Sequence, residues 1–272
     1  MSARSDSGLN NGRAGRDVRA GRATMAIATL LTALALWYVL TTLTGIISPA
    51  RFASPSDVWA AWLQISTQGY ADAKLWRHIV QSCMLVLFGF LVAVAVGVPL
   101  GLAMGWSKRA EAFVNPVFLL LRPIPPLAWI PLAIVWLGLG DAAKIMVIFV
   151  AAFVPSVINT YAGVRSMEPH LLEASAMLGA KRFTFIREVL VPGSLPQIFT
   201  GLRLSLQASW TTLVAAELVG ALYGLGQVLS AAAQDIFPAM ILVGMISVGV
   251  CGGAMTWLLG QLEKRALPWR AA

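Results

Sequence analysis

The sequence has little of what performs chemistry in water. Only 12% of its 272 residues are charged, whereas about a quarter of a soluble domain is. It has two cysteines and two histidines. Cys83 and Cys251 each lie inside an apolar run, which excludes a disulfide framework, and no Cys/His spacing for a metal occurs. Both cysteines are expected to be small buried hydrophobes. His78 and His170 are solitary and are expected at the surface. No G-x-x-x-x-G-K-[ST] loop is present to cradle nucleotide phosphates. The apolar runs lack a His-rich metal motif or a Ser/His pair, which argues against an intramembrane enzyme. Acids are also scarce there: Glu217 is the only carboxylate well inside a run. An ion-coupled secondary transporter needs such acids and an inverted repeat, and neither pattern is visible. The net charge of +8 comes without aromatic interleaving or a recognition motif, so nucleic acid is not an expected partner.

What is present is apolar length. Hydrophobic residues make up 58% of the chain, and in lipid every backbone polar group must find its partner inside a helix or closed barrel. Long apolar windows at 25–47, 79–105, 113–137, 143–164, 198–222 and 238–261 predict an all-α membrane protein with six transmembrane helices. Residues 1–23, rich in Gly, Ser, Asn and Arg, read as a disordered cytoplasmic tail. Residues 24–264 then form one transmembrane domain, and 265–272 a cytoplasmic C-terminal tail. Arg4, Arg13, Arg16, Arg19 and Arg22, then Lys108 and Arg109, then Arg165, Lys181, Arg182 and Arg187, and finally Lys264, Arg265 and Arg270 fall on one side. The opposite loops carry only Arg51, Lys74, Arg77 and Lys144. Basic loops stay in the cytoplasm, so both termini are expected there. Trp59, Trp62 and Trp76 then sit outside, in a partly helical interfacial hairpin.

Three features inside the spans stand out. Gly97, Gly101 and Gly105 share one helix face and form a groove for a neighbouring backbone. Pro123, Pro125 and Pro126 remove backbone donors within the third span, which should bend or open. Arg122 directly precedes them: either it meets an anion near a broken helix, or it snorkels or pairs structurally. For Glu217 a gate, a proton site and a structural anchor are all open.

The loop between the fourth and fifth spans, EPHLLEASAMLGAKRFTFIREVLVPGSLP, is patterned as a helical hairpin. Pro169 suits a first turn, Leu171, Leu172, Ala176 and Met177 form an apolar face, and Gly179 suits the left-handed end of a helix. A second helix is predicted over Phe183 to Leu190, stopping before Pro192. Such an amphipathic element could lie on lipid. Its residues, however, resemble the EAA signature of ABC importer permeases of the binding-protein-dependent type: Glu-Ala-Ala, three residues, Gly, nine residues, Ile, one residue, Leu-Pro. Glu173, Ala174, Ser175, Gly179, Val189, Val191 and Pro192 occupy those positions, with Ser175, Val189 and Val191 as conservative departures.

LLRPIPPLAWIPLAIVWLGLGDAAKI and TGLRLSLQASWTTLVAAELVGALYGLG look like the nitrate, sulfonate and taurine branch, and GYADAKLWRHIVQS, LVAAEL and ALPWR most like taurine permeases. The resemblance spans about Phe52 to the C-terminus. It implies a homodimer around one pathway, two separate ATPase subunits that carry the ATP, a periplasmic or lipid-anchored binding protein, and a bacterial inner-membrane location. It makes Glu173, Ala174, Ser175, Gly179 and Pro192 the residues that couple to the ATPase. It implies no cofactor and no catalysis in this chain. Taurine or another alkanesulfonate is the expected cargo; nitrate, an aromatic sulfonate or carboxylate, or a neutral heterocycle are the alternatives.

Overall fold

A computed structural model describes residues 24–25, 28–29, 31–43 and 52–270. The predicted N-terminal tail, part of the first span, Arg51 and the last two residues lie outside these. The described chain is helical throughout, with a single isolated bridge, Tyr70 to Ala73, in a turn. The first apolar helix, α1, is described over Leu31–Leu43, closing in a π turn at Val39–Leu43.

Helix α2 (Pro55–Thr67) begins with a capping box. The Ser54 hydroxyl accepts the Asp57 N–H, the Asp57 carboxylate accepts the Ser54 N–H, and Pro55 opens the first turn where its missing donor costs nothing. Trp59 and Trp62 stand exposed beside each other, ring centroids 4.9 Å apart. A tight turn with Gly69, Ala71 and Asp72 at positive φ leads into α3 (Leu75–Trp106).

Helices α3, α6 (Asp141–Arg165) and α9 (Val191–Gly220) form the central layer, packed along their lengths. The expected glycine groove is real, and α6 fills it. Gly97, Gly101 and Gly105 face Ser156, Thr160 and Val164, and a Cβ on Gly101 would stand 2.7 Å from both the Val157 carbonyl oxygen and the Thr160 Cβ. Close backbone approach gives the dispersion contact that drives helix association in lipid. Ser205 of α9 donates to the Ala152 carbonyl of α6 at 2.6 Å, fixing their register. Helices α10 (Leu225–Gln234) and α11 (Pro238–Ala266) close the bundle, burying Leu213, Leu225, Val228 and Met240 with Ile65 and Val86.

Helices α3, α6 and α11 are each long and apolar enough to cross a membrane without a break. The third expected span breaks as its prolines demand. α4 (Lys108–Leu121) ends at Arg122, a 3-10 turn covers Pro126–Trp129, and α5 (Ile130–Leu137) departs at 84°. The fifth also bends, by 48°, where α9 gives way to α10. With each bent pair counted as one span there are five, and the described part of α1, a shorter apolar helix, lies in the window of the first expected span.

At one end, α7 (Pro169–Met177) and α8 (Arg182–Phe185) form the predicted hairpin. The expected stop before Pro192 does not occur. A π turn over Ile186–Leu190, in which the Val191 N–H reaches back to the Ile186 carbonyl, carries the helix onward without a break. The wider turn falls just before Pro192, where the residue's missing N–H would interrupt the regular i→i−4 ladder. Helix runs from Arg182 to Gly220.

Candidate functional site

Two places in the bundle gather the residues singled out above, one at each end. At the hairpin end, α7 carries Glu173 and Ala174 exposed and Ser175 buried. Gly179 takes φ +71°, and around it the Leu178 N–H donates to the Ala174 carbonyl and the Ala180 N–H to the Ser175 carbonyl. Only glycine and a few short polar residues take that conformation cheaply. A Cβ there would meet nothing within 4 Å, so this face of the turn is open. Pro192 sits apart, at the head of α9.

The hairpin's outer surface is apolar. Met177 and Leu178 are each 86% exposed and Phe183 75%, with Leu171 also exposed. Large apolar side chains grouped this way mark a surface that meets either a protein partner or lipid. Its inner surface is anchored: Phe185 and Leu190 are buried with Val164, and the Phe185 ring lies 4.6 Å from that of Trp106 at the end of α3. Beside it, Arg165 donates to Glu111 at 2.9 Å and the Tyr161 hydroxyl donates to the same carboxylate at 2.5 Å, joining the start of α4 to the end of α6. Whatever docks on the hairpin is mechanically connected to α3, α6 and α9.

At the far end the three N–H groups that open α10 are each taken by a side chain. The Gly224 N–H donates to His78 Nδ1 at 3.1 Å, the Leu225 N–H to Ser82 Oγ at 2.8 Å and the Gly226 N–H to Glu217 Oε2 at 2.7 Å. Ser82 in turn donates to Glu217 Oε1 at 2.8 Å, and His78 Nε2 lies 3.0 Å from the Tyr70 carbonyl oxygen. With Nδ1 accepting, Nε2 is the donor, so the arrangement selects the neutral tautomer. His78, Ser82 and Glu217 are fully buried. A carboxylate at a helix N-terminus satisfies orphan donors and complements the helix dipole. Gly224 and Gly226 leave room for it: a Cβ on Gly226 would stand 2.6 Å from that of Glu217.

This corrects the expectation for His78, which is not at the surface. It stands four residues before Ser82, so both point from the same face of α3 into the bundle. His170 is exposed, as expected. Of the open roles for Glu217, the geometry favours the anchor, because among the described residues its side-chain hydrogen bonds come from Ser82 and Gly226. Arg122 is not part of this network. It caps α4 at the elbow and is exposed.

Lys144, counted above among the loop residues, belongs to the first turn of α6 and is buried, 7% exposed, with its ammonium 3.3 Å from Asp141. His78, Ser82 and Lys144 were not singled out from the sequence as site residues. The available signals were the polar pair four apart within the apolar start of α3 and the Gly-Asp-x-x-Lys run after the broken span.

Residues 97–267 match the family model described as binding-protein-dependent transport system inner membrane component. The taurine transport system permease protein TauC of Escherichia coli (strain K12) is 37% identical over 247 residues, covering 90% of each chain. The putative aliphatic sulfonates transport permease protein SsuC of Bacillus subtilis (strain 168) is 33% identical over 237 residues, covering 87% of this chain and 84% of that one. Among solved structures, a chain of the inward-facing MetNI methionine ABC transporter superposes with a TM-score of 0.52 at 23% identity, covering 68% of this chain and 94% of that one. At that identity it speaks for the fold.

Proposed function

The chain belongs to the family of binding-protein-dependent transport system inner membrane components, and from that premise we propose that two copies of it form the translocation pathway of an importer for taurine or another alkanesulfonate. As a permease of an ABC importer it works with ATPase subunits and a substrate-binding protein, and it is not itself an enzyme. In our reading two ATPase subunits, which hold the ATP, dock on the hairpin end, and the binding protein docks on the far end. Residues 24–264 form the permease domain, with both termini in the cytoplasm. The Lys/Arg distribution supports that orientation, since it puts the hairpin on the cytoplasmic side.

The observation that carries the coupling role is the exposed apolar surface of α7 and its turn, standing on a helix that continues to the opposite end. Glu173 offers a charge-assisted hydrogen bond to the ATPase, while Ala174 and the open side of Gly179 permit close approach. Helix from Arg182 to Gly220 spans roughly 55 Å at about 1.5 Å per residue. Motion imposed on the hairpin by closure of the ATPase dimer therefore reaches the α9–α10 elbow, where Glu217 holds α10. Such a lever shifts the balance between outward-facing and inward-facing states when its contacts differ between them.

Substrate identity rests on the taurine and sulfonate relatives. The test is uptake of radiolabelled taurine by vesicles carrying the chain with its ATPase and binding protein. Uptake should require ATP and all three components, and excess ethanesulfonate should compete. Uptake without the ATPase overturns the importer reading, and uptake of nitrate but not taurine overturns the cargo.

A further inference from the structure

We propose that the recess between the start of α6, the start of α3 and the α9–α10 elbow is a binding site for the transported anion, with Lys144 as its cation and Asp141 as the partner for an ammonium group on the same molecule. The proposal rests on the importer reading and adds to it a cargo site within the permease.

The recess measures about 210 Å³ and is lined by Gln81, Gly140, Asp141, Lys144, Ala221 and Tyr223, among others. That volume suits a small organic ion and is below the usual range for drug-sized ligands. It lies at the far end, which the proposed orientation turns toward the binding protein.

A buried ammonium is costly unless paired. Lys144 is paired unevenly. Among the described residues its hydrogen bond goes to Asp141 Oδ1 at 3.3 Å, which uses one of three N–H donors. The Asp141 side chain is 55% exposed, and its other oxygen accepts from Gln81 Nε2 at 2.8 Å. Cation and anion thus meet at the recess, the cation buried and the anion open to solvent. Arg77 adds a further positive charge, its guanidinium 4.0 Å from the centre of the Tyr223 ring that forms one wall.

A zwitterion with a sulfonate at one end and an ammonium at the other can insert in series between the two side chains. The sulfonate takes the free Lys144 donors and the ammonium takes the Asp141 carboxylate. One ion pair is then replaced by two, and because the zwitterion is neutral overall the recess gains no net charge. An alkanesulfonate without an amine satisfies Lys144 alone and leaves Asp141 facing a like charge. The site therefore favours taurine over ethanesulfonate. The Ala221–Tyr223 wall belongs to the elbow at the end of α9, so the recess changes shape when the hairpin lever moves.

The test uses the assembled importer, chain plus ATPase in nanodiscs without binding protein, and measures saturable binding of radiolabelled taurine and of ethanesulfonate. Wild type should bind taurine more tightly than ethanesulfonate. Lys144→Gln should weaken both by about tenfold or more, as loss of one partner of a buried charge pair does, and Lys144→Arg should retain binding within a few-fold. Asp141→Asn should weaken taurine by about tenfold and leave ethanesulfonate unchanged or tighter. Ala221→Leu fills the recess without altering charge and should abolish binding of both, with ATPase assembly intact; it stands as the test if a charge variant fails to assemble. Taurine binding unchanged by Lys144→Gln and Ala221→Leu overturns the site. So does a wild-type complex that imports taurine when given its binding protein yet binds none alone, and in that case the importer reading stands. If the importer carries nitrate instead, nitrate becomes the probe: weakening by Lys144→Gln supports the cation, and unchanged binding overturns it.

Discussion

The Ser82 hydroxyl donates to Glu217 Oε1 at 2.8 Å across 135 residues of sequence, and the same oxygen of Ser82 accepts the Leu225 N–H. A single hydroxyl thereby joins α3, α9 and α10 at the place where the fifth span bends. Glu217→Ala orphans the Gly226 N–H and the Ser82 hydroxyl, each at about 1–3 kcal/mol. It should lower the melting temperature in detergent by several degrees. Glu217→Gln keeps an acceptor for Gly226 and should melt close to wild type. It should also support ATP-driven uptake with an unchanged pH profile; loss of uptake at one end of the pH range would reveal a proton role.

Gly101 meets the backbone of α6, which cannot yield as a flexible side chain does. Gly101→Val should therefore separate α3 from α6 and destabilise the chain by about 1–3 kcal/mol or more. Gly249→Ala is the control, because a Cβ there meets nothing within 4 Å of this chain. Melting curves of the two variants should differ clearly.

Glu173→Lys and Gly179→Asp should leave the chain inserted and folded while abolishing ATPase co-purification and uptake. Space is not the obstacle within this chain at position 179, since the turn is open there. Backbone strain and partner contact can be separated with Gly179→Asn, because asparagine enters the left-handed region more readily than most residues. Asparagine should preserve the turn and still impair docking. Full ATPase binding by all three variants would remove the coupling role from this surface.

Phe185 carries the hairpin's weight against Trp106. Truncating a buried phenylalanine to alanine costs about 3–5 kcal/mol when the site does not collapse. At this peripheral position Phe185→Ala should loosen the hairpin alone. Expected are faster proteolysis between Glu168 and Leu190, retained ATPase binding and a several-fold drop in uptake per ATP hydrolysed.

The Tyr70 hydroxyl donates to Asp235 at 2.5 Å, pinning the α2–α3 turn to the end of α10. Burial first, then this hydrogen bond and the aspartate charge, raise the phenol above its ordinary value of 10. A raised folded-state pKa adds stability that is fully present below the unfolded value and is lost as pH rises through the folded one. Wild type should thus lose melting temperature above pH 10, and Tyr70→Phe should show a shallower loss over pH 9–11.

The glycine groove of α3 and the break at Pro123–Pro126 were legible because each depends on local chemistry: a missing Cβ every fourth residue, and missing donors. The hairpin was legible for the same reason, through helical spacing and a glycine stop. Its continuation through Pro192 was not, because a π turn depends on how neighbouring turns share carbonyls and no residue type announces it. His78 read as a solitary surface histidine because its partners, the Gly224 N–H and the Tyr70 carbonyl, are backbone groups that composition does not display. Lys144 read as a loop charge because its depth depends on where α5 ends and α6 begins.

Apolar length, which acts on each segment separately, determined by itself that this chain is a helical membrane protein, and the hairpin's residues carried a resemblance to importer permeases that the family match bears out. Only the tertiary structure decided which polar residues meet. His78, Ser82, Glu217 and the start of α10 come from distant parts of the chain, and burial among them is a property of packing between helices that no single helix contains.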